Sequence, residues 1–462
     1  MSAAVLAYED KIDRPHVALL VSMILRLAIL AIMSGLGGCA TYSGSFGVIE
    51  HDLAARKYDA ALVNIEKESG SKKDRVLYLL NKGMVLRMKR DFVASNVAFE
   101  AAKTEMARLY AASVSENTLS VMVNDSTVSY SGDNYEQILL HLYMALNYLE
   151  LGKIDAARVE ALQIDEQLRE FAEKSPGSKF AEDAFTLYLT GLIYEDRGEW
   201  SDAMISYRSA YKAYKKYLAN YGEAMPSTLK VDLMRMAKQQ GLTDELEKYK
   251  SEFGIELPSK KGVAPDQGEL VFVLNNGLAP IKREKAINSF DPASGTMVRI
   301  SLPVYESRRN NVVAARITVN NMQTTTELME NIDVIARRNL DEHMPAIIAR
   351  SVARAVVKTV ASTRARQAAS NNKNNDNGAM LGMLGALALQ VAAVATEQAD
   401  TRSWLTLPSN IQLGRLSLPA GSYSVKVELL GLNRQVVAIQ DYPGIVIEKS
   451  RMTFLSEHWV PN

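Results

Sequence analysis

The sequence predicts a multidomain α plus β chain: an N-terminal helical-repeat solenoid, then a β-sandwich-like domain interrupted by a helical insertion. Three observations predict it. Between about Gly47 and Gly254 apolar residues recur at helical spacing in stretches that share a register. After "LPSKKGVAPDQ" the period changes to that of strands. Ahead of both, a long apolar run ends in small residues beside the single cysteine of the 462-residue chain.

That run, "VALLVSMILRLAILAIMSGLGG", carries one charge, Arg26, and has the outline of a cleaved secretory signal over residues 1–38. A lone thiol forms no internal disulfide, so Cys39 is either a buried inert thiol behind a signal anchor or a group with chemistry of its own. Leu36, Gly37, Gly38 and Cys39 resemble a bacterial lipobox, and that resemblance implies thioether-linked diacylglycerol on Cys39 as the first mature residue. The opening "MSAAVLAYEDKIDRPH" is long and partly acidic for such a signal, and Met23 is the more natural start. Two or three acyl chains anchor stably where one gives only reversible binding. Ala40, rather than an aspartate, follows the cysteine, which by the lipoprotein sorting rule implies the outer membrane, on its periplasmic face. Residues 39–47 read as a short tether, whose "ATYSGSFG" spans at most about 29 Å when extended.

Charge excludes some partners. The 53 basic and 53 acidic residues balance, and the signal removes equal numbers of each. No global field favours nucleic acid.

Within residues 48–254 the clearest unit is "LYLTGLIYEDRGEWSDAMISYRSAYKAY". Its Gly191, Tyr194, Gly198, Trp200, Ala203, Tyr207 and Ala210 match in order the small and aromatic positions of the tetratricopeptide (TPR) pattern, a two-helix repeat. Small residues at Gly191 and Ala203 let the helices approach, and the tyrosines fill the space above them. The same offsets recur at Ala145, Tyr148, Gly152, Ile154, Ala157, Ala161 and Ile164, and more weakly at Gly83, Leu86, Phe92, Ser95, Phe99 and Ala102. A degenerate first copy carries Tyr58, Ala61 and Ile65. A final pair has Pro226 at one helix start, Gly241 at its end and Thr243 capping the next. This region resembles a TPR solenoid of four to five helix pairs, which implies binding of peptides or protein segments in a concave groove. The stretch "SENTLSVMVNDSTVSYSGDNYEQ" breaks the period and reads as a hairpin or ordered loop, either packing on its own repeat or meeting a partner.

Residues 255–267 form the linker. The first part of the β domain is 268–322, with strands in "GELVFVLNNGLAP", "TMVRISLPVY" and "NVVAARITVN"; the second is 401–462, with strands in "SWLTLP", "GSYSVKVELLG" and "RQVVAIQDYPGIVIEKSRMTFLS". Between them lies the helical insertion 323–400. Its basic helix, 328–368, sets Arg350, Arg354 and Lys358 on one face and Ile348, Val352 and Val356 on another. A low-complexity spacer (370–377) precedes an uncharged stretch, 378–395, whose Gly378 and Gly382 permit close helix contact. These two arms read either as cover for the sandwich or as a membrane or oligomer contact; the uncharged arm is marginal for crossing about 30 Å of hydrocarbon.

No catalytic, metal or cofactor pattern emerges. His16, His51, His141, His343 and His458 are scattered without ligand spacing, and no phosphate loop or nucleophile elbow occurs. Ser69/Lys72 and Ser209/Lys212 match a Ser-x-x-Lys spacing without its companions. The carboxylate pairs Glu195/Asp196 and Asp244/Glu245 fall at helix ends, where charge usually serves solvation. The mature chain resembles TPR-containing Gram-negative lipoproteins, and that implies a non-enzymatic, membrane-anchored scaffold that binds envelope proteins through its groove. The alternative is a homo-oligomeric outer-membrane export channel.

Overall fold

The computed structural model describes residues 42–115, 128–174, 183–257, 266–292, 296–371 and 397–461. Cys39 and the rest of the lipobox, Gly378 and Gly382 lie outside the described residues, as does most of the irregular stretch before Tyr130.

A four-residue turn, α1 (Tyr42–Ser45), opens the described chain, and five helix pairs follow: α2 (Gly47–Ala54) with α3 (Tyr58–Glu66), α4 (Arg75–Met88) with α5 (Phe92–Ser115), α6 (Asn134–Glu150) with α7 (Ile154–Lys174), α8 (Ala184–Asp196) with α9 (Trp200–Tyr221), and α10 (Ser227–Gln239) with α11 (Thr243–Phe253). In every pair the first helix stops the same way. Arg56, Arg90, Gly152, Gly198 and Gly241 all take positive φ, between 57° and 75°. The next N–H then bonds back to the carbonyl five residues earlier: Lys57 to Asp52, Asp91 to Leu86, Lys153 to Tyr148, Glu199 to Tyr194 and Leu242 to Ala237, at 2.8–2.9 Å. This is the Schellman closure, which satisfies carbonyls left open at a helix end. Three ends use glycine, which enters this region without strain; two use arginine at a steric cost.

The TPR positions behave as their residue types require. A Cβ on Gly83 would stand 2.4 Å from the Phe99 ring, and one on Gly191 2.4 Å from the Tyr207 ring, so each pair meets only because the glycine has no side chain. In the middle repeat both corresponding positions are alanine, Ala145 and Ala161, and both are fully buried. Ala157, Ala203 and Ala210 are fully buried as well, and Tyr194 is nearly so. Tyr148 packs partly buried against the same core, whereas Trp200 is largely exposed.

The β half contains two four-stranded sheets. One has the order β10-β1-β7-β6, formed by β1 (Gln267–Asn276), β6 (Glu327–Asn331), β7 (Asn410–Pro419) and β10 (Met452–Trp459). The other has the order β5-β4-β8-β9, formed by β4 (Val312–Val319), β5 (Met322–Thr325), β8 (Gly421–Gly431) and β9 (Val436–Ile447). A separate hairpin is built from β2 (Ile281–Asp291) and β3 (Thr296–Glu306). Strand β1 explains its own sequence. Leu270, Phe272 and Leu274 face the sandwich core with Ile317, Val427 and Leu429, while Val271 and Val273 face the helical core. A strand buried on both faces reads as an unbroken apolar run.

Two expectations change here. Residues 323–331, read as the start of the insertion, form β5 and β6, so the long helix α12 runs Ile332–Asn371 and the first β segment reaches Asn331. "SWLTLP" is not a strand; Leu405 and Thr406 form a turn against the helices.

Candidate functional site

The expected site was the concave groove of the repeats. In the structure the chain's own second half covers that face. Helix α8 is buried along residues 184–195, and α6 is buried at thirteen of its positions, more than packing against second helices alone would produce. Trp404, fully buried, stands edge-on to Phe99 and Tyr143 with ring centres 5.7 and 6.0 Å away. Its backbone N–H donates to Glu136 Oε1 at 2.7 Å, and the Thr406 hydroxyl donates to Asn81 Oδ1 at 2.9 Å. Tyr143 donates to Asn275 Oδ1 at 3.0 Å and Tyr214 to the Met329 carbonyl at 2.8 Å. A segment of this chain thus lies where the repeat resemblance placed a foreign peptide.

Charge locks the same joint. Arg415 on β7 grips both carboxylate oxygens of Glu269 and also reaches Asp232 on α10. Tyr188 donates to Asp232 at 2.7 Å; Arg235 joins Asp232 at 2.9 Å and Glu195 at 2.6 Å; Tyr207 donates to Glu195 at 2.5 Å. Burial works against the Asp232 carboxylate, but Arg415 and Arg235 together hold it below the usual carboxylate range. Asp196 accepts from Arg451 at 2.8 Å and from the Met452 N–H at 2.6 Å. Of Glu195/Asp196, read from sequence as solvated charge, Asp196 is therefore a joint residue, because the sheet covers the end of α8, and Glu195 holds Arg235 beside Asp232.

Other buried groups are displaced from their ordinary pKa. Burial, with Asp183 nearby, pushes the Glu330 carboxyl well up, although it accepts from the Phe185 N–H and the Tyr217 hydroxyl. Burial pulls His458 down to about 3, while its Nε2 lies 3.1 Å from the Gly277 carbonyl. His141 pairs with Glu160 at 2.7 Å inside the solenoid. Among the described residues no group of three or more His, Cys, Asp or Glu side chains is placed to hold a metal ion.

The basic face of α12 is turned the opposite way from the one expected of a membrane or oligomer contact. Arg354 is buried, donating from Nη2 to Glu397 Oε1 at 3.2 Å, and Lys358 donates to Glu397 Oε2 at 2.8 Å. Arg350, half-buried, borders a cavity of about 190 Å³ shared with Lys282, Asp133 and Asp400. Glu397, far along the chain, neutralises this face. Between Ala346 and Ala361 the residues that α12 leaves exposed are apolar, Ile348, Val352, Val356 and Val360 among them. Among the described residues no helix is long and apolar enough to cross a membrane.

No family model matches the chain, and no curated protein matches it. Solved structures of MamA do. A crystal structure of MamA protein is 15% identical, covering 46% of this chain and 96% of that one with a TM-score of 0.27. MamA MSR-1 is 13% identical, covering 46% and 92% with a TM-score of 0.25, and MamA AMB-1 is 14% identical, covering 48% and 96% with a TM-score of 0.24. At scores this low the repeat assignment rests on this chain's own helix ends and glycine–aromatic contacts.

Proposed function

We propose that this chain is a lipid-anchored, non-enzymatic scaffold on the periplasmic face of the outer membrane, and that it binds envelope proteins along the outer face of its repeats. The observation that carries this is a repeated exposed position. Seven residues after each left-handed helix end stand Val63, Val97, Val159 and Ile205, all between 54% and 68% exposed. Equivalent positions of stacked repeats recur along the stack, so four aliphatic side chains mark one outward line. The last pair has Lys248 at this position, as a polar end cap would. Scattered exposed aliphatics need no explanation, but the same register kept in four repeats does. A line of this kind suits an apolar segment of a partner protein. The anchor rests on the lipobox resemblance at Cys39.

The test is a crosslinked pull-down from membranes with mass spectrometry, run on wild type, Cys39→Ser, and a variant carrying Lys at positions 63, 97, 159 and 205. The expected outcome is a defined set of envelope proteins with wild type that both variants lose. Equal capture by the lysine variant contradicts the outer-line reading. Labelled palmitate on wild type but not on Cys39→Ser checks the anchor separately.

The exposed Ile348, Val352, Val356 and Val360 line of α12 favours a second reading, self-association into an export channel. That reading expects a ring in detergent that Val352→Lys combined with Val356→Lys abolishes.

A further inference from the structure

Arg308 differs from the other buried arginines. It sits in the turn between β3 and β4, its side chain is 6% exposed, and none of Nε, Nη1 and Nη2 has a hydrogen-bond partner in the described chain. Arg87, Arg235, Arg402 and Arg415, by contrast, each donate to side-chain oxygens. The nearest carboxylate oxygen is Glu50 Oε2, 3.6 Å from Nη1, beyond hydrogen-bond distance, and the Glu50 side chain is 39% exposed. Beneath the guanidinium lies the Phe46 ring, 5.5 Å from ring centre to Cζ. Asp333 acts on Arg308 through space without a hydrogen bond to it; its Oδ2 accepts the Ser307 hydroxyl at 2.7 Å, and its buried Oδ1 has no hydrogen-bond partner among the described residues. Burial, opposed by Glu50 and Asp333, brings the Arg308 guanidinium down to about 10.

Arg308 borders a cavity of about 350 Å³ lined also by Arg283 and Arg309 and by the carboxylates of Glu50 and Glu306, three guanidinium groups against two acids. Arg283 stands 3.4 Å from Glu306, an exposed pair whose attraction water screens. Leu278, Ile281 and Val460 supply apolar walls. A planar fork of N–H donors with no acceptor, two further guanidinium groups and apolar walls are the parts of a site for an oxyanion that carries an apolar or glyceryl substituent.

The geometry points to a phosphate-ester site at Arg308, in which the ligand's phosphate oxygens take the place of the half-exposed Glu50 carboxylate and Arg283 and Arg309 close over it. The position of the cavity bears on the source of the ester. Phe46 and Glu50 lie on α1 and α2 or between them, and Tyr42 is held to the first repeats by the Asn81 amide at 2.7 Å. Tyr42 lies only three residues after Cys39, a reach of about 11 Å at most. If Cys39 carries lipid, as the proposed function has it, the cavity lies against the headgroup layer and the ester is a glycerophospholipid head. Without that anchor the same chemistry takes a soluble phosphate ester.

The test uses the full chain in a non-ionic detergent, titrated calorimetrically with sn-glycerol 3-phosphate and with inorganic phosphate. Wild type should bind glycerol phosphate, Arg308→Leu should bind it at least about tenfold more weakly with an unchanged circular dichroism spectrum and Tm, and Glu50→Gln should bind it more tightly. No heat from wild type at roughly millimolar ligand, or equal binding by Arg308→Leu, overturns the site. So does a loss of Tm in Arg308→Leu as large as that in Arg415→Leu, because the guanidinium would then be holding the fold. A second arm sediments Cys39→Ser with phosphatidylcholine vesicles, with and without phosphatidylglycerol. Arg308-dependent binding to the mixed vesicles identifies a lipid head; glycerol phosphate binding without it identifies a soluble ester. Both leave the site standing, and neither calorimetric result depends on lipidation of Cys39 or on a protein partner.

Discussion

Arg415 and Arg308 both have buried side chains and both lie where the helical half meets the β half, yet one is hydrogen-bonded to carboxylates and the other only faces them at longer range. Arg415 donates to Glu269 and Asp232, and Asp232 in turn is fixed by Tyr188 and Arg235. Arg308 has an aromatic ring below it and a carboxylate just out of reach. The difference separates charge that joins two halves of a molecule from charge held for something outside it. In the first case removing one partner strands the others in low dielectric; in the second Glu50 stays partly in water and Asp333 keeps Arg337, so little is stranded.

The largest effect should follow from breaking the first member of this pair. Arg415→Leu leaves Glu269 buried without its cation and Asp232 with Arg235 alone, and should cost about 3–5 kcal/mol in urea unfolding. Arg308→Leu, by the same measurement, should fall within about 0.5 kcal/mol of wild type, and equal costs would erase the contrast.

Next in size is steric crowding inside the joint's helical wall. Gly191→Ala forces a methyl group into the Tyr207 ring and should cost about 1–3 kcal/mol. Pairing Gly83→Ala with Phe99→Ala should cost less than the two single changes summed, since the middle repeat already uses alanine at both positions. Strict additivity would break the equivalence of the repeats.

A proton offers a graded version. His458 is neutral in the fold down to about pH 3, whereas in the unfolded chain it protonates near 6.5. The unfolded state therefore binds more protons in that window. The contribution of His458 is fully present above pH 6.5 and is lost as pH falls towards 3, at about 1.4 kcal/mol per pH unit where the difference is one proton. His458→Gln should show a shallower loss of stability with acid in the same window; an unchanged slope would mean that His458 is solvated in the fold.

The smallest expected effect on stability is on the outer face. Lys at positions 63, 97, 159 and 205 should each change unfolding free energy by no more than about 0.5 kcal/mol, so that any loss of partners reflects the surface alone.

The sequence revealed the repeats where their residue types are forced. Gly191 with Tyr207, and Gly83 with Phe99, carry the pattern because only glycine admits the ring. The first two helix ends were hidden because arginine, at Arg56 and Arg90, occupies a conformation that sequence reading assigns to glycine. Strand β1 was legible as an apolar run, but its two-faced burial was not, since nothing local says which faces will be covered. Trp404 looked like a strand residue because its fit is to Phe99 and Tyr143, far away in the chain. The charge network was invisible for the same reason: Glu195/Asp196 look like ordinary helix-end acids until Arg235 and Arg451 are brought to them. Arg308 gave no local signal either, because it stands out by lacking a partner, and partners are a property of the fold.

The central claim is that the inner face of the repeats is closed by the chain's own β half, making the two halves one cooperative unit. Native-state hydrogen exchange tests it most directly, followed as a function of denaturant on α6, α8 and β1. Shared exchange of all three through one global opening is the predicted result. Exchange of α6 and α8 through an earlier, separate opening while β1 stays protected would contradict it, and would return the groove to a foreign peptide.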